Sequence, residues 1–166
     1  YRYKLLKFIS LIKFRKSNYA DALRGFKNKY EGQRCFIIGN GPSLNVNDLE
    51  KLKNEITFGF NRIYYIFNKT DWRPTFYCSE DLKIIQNSVK EINDLDIKDK
   101  FIPLIIKEDY GINIDSAIYF NQRYKPEKQI VPSFSDNIVK KIDCGSTVTY
   151  TAIQIATYMG FKEIYL

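Results

Sequence analysis

From residue 35 onward, short runs of β-branched and aromatic residues alternate with polar stretches whose apolar positions recur at helical spacing. The pattern predicts strands over 35–38, 56–60, 75–78 and 101–106, with another over 118–120. Short helices are predicted over 47–53, with Leu49 and Leu52 inward, and over 81–92. Pro103 argues for an edge position for the fourth strand, because proline cannot donate to a ladder. The clearest helix spans 146–158, with Val148, Ala152, Ile155, Ala156 and Met159 as its buried stripe; Gly160 ends it, and 163–166 begins a further strand. The polar stretch 121–136 holds Pro126 and Pro132 and reads as a long loop or flap. Strands alternating with helices are the signature of an α/β fold. The expectation is a Rossmann-like, open, mostly parallel sheet with helices on both faces, occupying 34–166. A strand opening at 163–166 would ordinarily lead to another functional loop, so a longer protein is expected.

Residues 1–33 read differently, as a basic amphipathic helical leader. Leu5, Phe8, Ile9 and Ile12 share a helix face, with Lys4, Lys7, Lys13, Arg15 and Lys16 around them. Asn18 is a candidate cap for a second helix presenting Leu23, Phe26 and Tyr30. Residues 1–34 carry ten Lys or Arg against two acids, so the chain's net charge of +7 resides there and the remainder is close to neutral. Two partners suit such a face: an anionic membrane surface, or the domain itself, leaving the basic side solvated. Nucleic acid is not supported, because no stacking-aromatic or base-reading motif accompanies the charge.

Composition narrows the class further. With 166 residues, 45% of them hydrophobic and 16% aromatic, the chain can bury a core as one domain. No run approaches the ~18 apolar residues of a membrane span, and the opening residues do not resemble a signal peptide. Cys35, Cys78 and Cys144 have neither metal nor disulfide spacing, so they read as reduced thiols in a cytoplasmic protein. Histidine is absent, so no imidazole in this segment can act as a base or metal ligand.

The candidate chemistry begins at Gly39-Asn40-Gly41-Pro42-Ser43, directly after the first strand. Glycines there let a backbone turn sharply and approach a phosphate closely, while Asn40 and Ser43 add polar side chains. The run is neither a dinucleotide fingerprint, since Leu44 replaces the third glycine, nor a P-loop. Asn61 ends the second strand on the same crevice and suits a base edge or a ribose, or else holds its own turn. Ser79, Glu80 and Asp81 follow the third strand. The acids could hold Mg²⁺ or grip a ribose; alternatively Ser79 caps the next helix, with the acids in its first turn. Gly145-Ser146-Thr147 opens the long helix and forms a second candidate anion site, with capping as the simpler account of Ser146.

Taken together, 35–44, Phe58-Gly59-Phe60-Asn61-Arg62-Ile63-Tyr64, Trp72-Arg73-Pro74-Thr75-Phe76-Tyr77 with Glu80-Asp81, and 145–150 running to 160–166 resemble the 6-hydroxymethylpterin diphosphokinase-like (MptE-like) family. The same landmarks are similar to those of bacterial CMP-sialate-dependent sialyltransferases. The resemblance implies that Asn40 and Ser43 contact the donor's phosphate and ribose, Asn61 its base or sugar, and 146–149 the nucleotide. It implies no catalytic base, because the sialyltransferase histidine lies beyond the last matched block.

The expected function is therefore a nucleotide-dependent transferase. The leading form transfers an activated sugar from a CMP-sugar or other nucleotide-sugar to a glycan acceptor, in surface-glycan assembly at the inner face of the membrane. The first alternative transfers pyrophosphate from ATP to a 6-hydroxymethyl pterin with Mg²⁺ at Glu80 and Asp81. The second is a nucleotide-binding module without chemistry.

Overall fold

The computed structural model describes residues 11–123 and 133–166. Six strands form one sheet: β1 (Arg34–Ile38), β2 (Thr57–Phe60), β3 (Phe76–Cys78), β4 (Asp99–Pro103), β5 (Ala117–Phe120) and β8 (Glu163–Tyr165). Their order is β5-β4-β3-β2-β1-β8, and every pairing is parallel. A separate parallel pair joins β6 (Gln122–Arg123) to β7 (Ile142–Asp143). The helices are α1 (Asn18–Arg24), α2 (Val46–Lys51), α3 (Leu82–Asn87), α4 (Val89–Asn93), α5 (Leu104–Glu108) and α6 (Val148–Tyr158), with a 3₁₀ turn over Ile63–Ile66.

Connectivity explains where a site can form. The first four crossovers step the chain from β1 outward to β5, and α6 then returns it to β8 beside β1. Crossovers between parallel strands are right-handed, so reversing direction puts α6 on the opposite face from α2–α5. The carboxyl ends of β1, β2 and β3 and the start of α6 therefore lie at one edge of the sheet, where open α/β sheets bind their ligands.

Phenylalanine builds the face under α1 and α6. Phe58 packs on Phe76 with ring centroids 4.8 Å apart, and Phe76 meets Phe101 at 6.0 Å. The register pairs Phe58 with Phe76 and Cys78 with Phe101, so these three rings point the same way. Onto them settle Phe26, 5.3 Å from Phe101, and Tyr30, stacked 5.1 Å from Phe161. Phe14, Ala20, Leu23 and Phe26 are all buried in this one core. Among the described residues the leader thus packs on the domain. No helix there is long and apolar enough to cross a membrane, and Leu5, Phe8 and Ile9 lie outside the described residues.

The α/β class, the strand sequence, the parallel sheet and the α6 stripe match the sequence-based expectation. Val148, Ala152, Ile155, Ala156 and Met159 are all buried, and Gly160 closes the helix at φ +85°. Several local expectations do not hold. Ser17, not Asn18, caps α1, its hydroxyl accepting from the Ala20 amide. Helix 47–53 starts at Val46, capped by Asn45. The 81–92 helix breaks at buried Ser88, whose φ of −139° lies outside the helical region, between α3 and α4. Strand 101–106 ends at Pro103, and 104–108 is helical. Nor is that strand an edge. β4 lies between β3 and β5, but its register with β3 stops at Phe101, so Pro103 owes β3 no hydrogen bond.

Candidate functional site

The turn after β1 is solvent-facing throughout Gly39–Ser43. The Asn40 side-chain amide donates to the Phe60 carbonyl at 2.8 Å, tying the turn to the end of β2. Neither Gly39 nor Gly41 adopts a left-handed conformation, contrary to the expectation that the bend needs glycine's freedom. Space around them is open instead. A Cβ on Gly39 would meet nothing within 4 Å, and one on Gly41 only the Ser43 hydroxyl at 3.8 Å. Nothing in the described fold requires glycine here.

Asn61 is held in an unusual state. Its φ is +47°, and three hydrogen bonds fix it there. Its N–H donates to the Cys78 carbonyl at 3.3 Å, its carbonyl accepts from the Tyr77 hydroxyl at 2.8 Å, and its Oδ1 accepts from Ser79 Oγ at 2.9 Å. Left-handed asparagine persists where surroundings over-determine it, and here the side-chain NH₂ remains for the crevice. Ser79 is fully buried, so it neither caps a helix nor faces the rim; it orients Asn61. The cap of α3 is Asp81, whose Oδ1 accepts from the Ile84 amide at 2.9 Å.

Glu80 turns inward. Its Oε2 accepts from Gln122 Nε2 and from Thr151 Oγ1, both at 2.7 Å, joining β3, β6 and α6 at one carboxylate. Burial pushes its pKa above the ordinary glutamate value, opposed by those two hydrogen bonds, while the charge of Asp81 adds to the rise. Asn61, Glu80, Asp81, Gln122, Cys144 and Ser146 line a cavity of about 360 Å³. Asn40 and Gly41 border a second concavity of about 430 Å³ on the other side of Asn61.

At the start of α6 the expected trio separates into different roles. Thr147 is the N-cap, its hydroxyl accepting from the Thr149 amide at 3.4 Å. Ser146 is not the first helical residue; at φ +66° it lies before the cap, exposed, on the cavity wall. Gly145 has a packing explanation, since a Cβ there would lie 2.3 Å from the Tyr150 ring.

Several site residues escaped the sequence reading. Gln122 and Thr151 were hidden because their partner Glu80 is 42 and 71 residues away in the chain. Gln154 is fully buried on α6; its oxygen accepts from the Ser135 and Asp143 amides, and its nitrogen donates to the Asp143 and Tyr150 carbonyls. A glutamine inside an otherwise apolar helix stripe was the available signal, because such a group must find partners. Among the described residues, no group of three or more His, Cys, Asp or Glu side chains is placed to hold a metal ion.

No curated protein and no solved structure matches the chain. A family model does, over residues 9–166, a span that takes in all but the first eight residues of the leader, the glycine turn, the acidic cavity and α6. The chain accordingly belongs to the 6-hydroxymethylpterin diphosphokinase MptE-like family.

Proposed function

We propose that the protein is a nucleotide-dependent transferase that moves the diphosphate of ATP onto the hydroxymethyl group of a pterin. Family membership supports this chemistry over transfer of an activated sugar to a glycan, the reading that the basic leader first suggested. The observation that carries it is the glycine turn, open where Cβ atoms would be, on a sheet edge that also carries the recessed Glu80 carboxylate.

In this reaction the pterin hydroxyl oxygen bonds to the β-phosphorus of ATP. The bond from that phosphorus to the α–β bridging oxygen breaks, and AMP leaves with the electron pair. The hydroxyl proton needs an acceptor. Glu80 is suited to that role: it is recessed, oriented by Gln122 and Thr151, and its pKa is raised toward the working range of a general base. Asp81 is exposed at the rim, with one oxygen committed to the α3 cap. A carboxylate so placed fits Mg²⁺, which commonly takes one or two carboxylates plus substrate phosphates, and Asp81 with Glu80 nearby would hold the ion that neutralises phosphate charge. Asn61 presents its amide to the base, ribose or pterin edge, and Ser43 and Ser146 offer hydroxyls at the two ends of the crevice.

Calorimetric titration with ATP, CMP, UDP and GDP, followed by an AMP-release assay with 6-hydroxymethylpterin, tests the reading. ATP binding and pterin-dependent AMP release are expected. Preference for CMP or UDP without AMP release would return the sugar-transfer reading to first place.

A further inference from the structure

We infer that the concavity on the glycine-turn side of Asn61 is the subsite for the triphosphate chain, with Arg62 and Lys69 as its cations. The inference rests on the protein's use of ATP and adds the residues that would hold the phosphates.

The two cavities flanking Asn61 differ in charge. Among the described residues, the one containing Glu80 and Asp81 is lined by no lysine or arginine. The other is lined by Arg62 and Lys69 and by no acid, with Asn40 and Gly41 at its edge. A polyanion is drawn to the second. Both cations are exposed, and among the described residues neither forms an ion pair. Lys51, Lys53, Arg34 and Lys141, by contrast, each engage a carboxylate. The 3₁₀ turn over Ile63–Ile66 explains the pairing of the two cations. It starts at Arg62 and leads within one further turn to Lys69, folding them toward one hollow. Leu44, Ile63 and Ile66 give that hollow an apolar floor, and Tyr65, 66% exposed, forms its wall. The bend at Asn61 thus divides the labour. Asn61 serves the acidic cavity and its chain neighbour Arg62 serves the basic one, placing a phosphate chain alongside the amides of the glycine turn.

Isothermal titration of the whole protein with sodium tripolyphosphate, ATP and AMP tests the assignment, with Arg62→Gln, Lys69→Gln and the double variant. Lys98→Gln, an exposed lysine next to the amino end of β4, serves as the control. An exposed charge contact is worth up to about 1 kcal/mol, so affinity for tripolyphosphate and ATP should fall roughly fivefold per charge removed. The loss should shrink as salt rises, while AMP binding and Lys98→Gln change little. Tripolyphosphate binding that depends on Arg62 and Lys69 without ATP binding would keep this subsite and sink the proposed function. ATP binding indifferent to both substitutions would keep the function and overturn the subsite. Binding of neither ligand overturns both.

Discussion

Replacing single glycines by alanine separates fold from ligand. At Gly39 and Gly41 the backbone is outside the left-handed region, and an added methyl meets open space or ordinary contact at 3.8 Å. Folding then carries no steric penalty, and restricting the unfolded chain should stabilise each variant by about 0.4–1 kcal/mol. For a chain of this size that is a rise in Tm of about 1–4 °C. At Gly59 the same methyl would lie 2.9 Å from Pro74 Cγ and 3.2 Å from Ile63 Cγ2 in a buried strand. A rigid proline ring cannot swing aside, so about 1–3 kcal/mol of overpacking is expected. Binding should run the other way. A methyl between the turn's amides and a phosphate removes at least one charge-assisted hydrogen bond, about 1.5–3 kcal/mol, hence a loss of ATP affinity of roughly tenfold to a hundredfold. Thermal unfolding and calorimetric titration of Gly39→Ala, Gly41→Ala and Gly59→Ala together read both axes. If Gly39→Ala and Gly41→Ala bind ATP as well as the parent protein, the open space at the turn has nothing to do with a ligand and the reasoning is wrong.

Other perturbations probe the acidic side. Because the folded protein holds the Glu80 proton more tightly than the unfolded chain, its contribution to stability is present below the ordinary glutamate value and disappears as pH climbs through the raised one. Glu80→Gln should therefore gain on the parent protein in urea unfolding as pH rises from 4 to 7 while AMP release falls; a constant stability difference would refute the shift. Ser79→Ala should destabilise by about 1 kcal/mol and weaken ligand binding only through Asn61. A double-mutant cycle with Asn61→Ala should then show coupling in the ligand Kd, and strict additivity would remove Ser79 from the site. Burial pushes the Cys35 thiol up to about 12 and raises Cys78 well above the ordinary thiol value, whereas half-buried Cys144 lines the acidic cavity. A disulfide reagent should label Cys144 first in the native protein, and 6-hydroxymethylpterin should slow that reaction; equal labelling of all three thiols would contradict the burial.

The sheet was legible because parallel strands buried on both faces read as short continuous apolar runs, as in Cys35–Ile38 and Phe58–Phe60. Boundaries were not, wherever a polar residue acts over distance. Ser88 looked like one more polar helix position, yet it is buried and breaks the helix. Pro103 looked like an edge marker, yet it pairs with Phe120 on β5, and the register only spares it a partner on β3. At the site, Asn61 and Glu80 were visible because each directly follows a strand. The chain gave no sign that Ser79 would turn inward to Asn61, or that Thr151 would reach Glu80 from a helix 71 residues on. The second pairing depends on the crossover that returns the chain to β1.

The seating of Phe26 and Tyr30 on the central rings has a practical consequence for anyone trimming this chain. A fragment cut to begin at Arg34, where β1 starts, would strip the cover from Phe76 and Phe101. Such a contiguous aromatic patch left wet invites self-association, so the shortened piece should precipitate at lower concentration than the 166-residue chain.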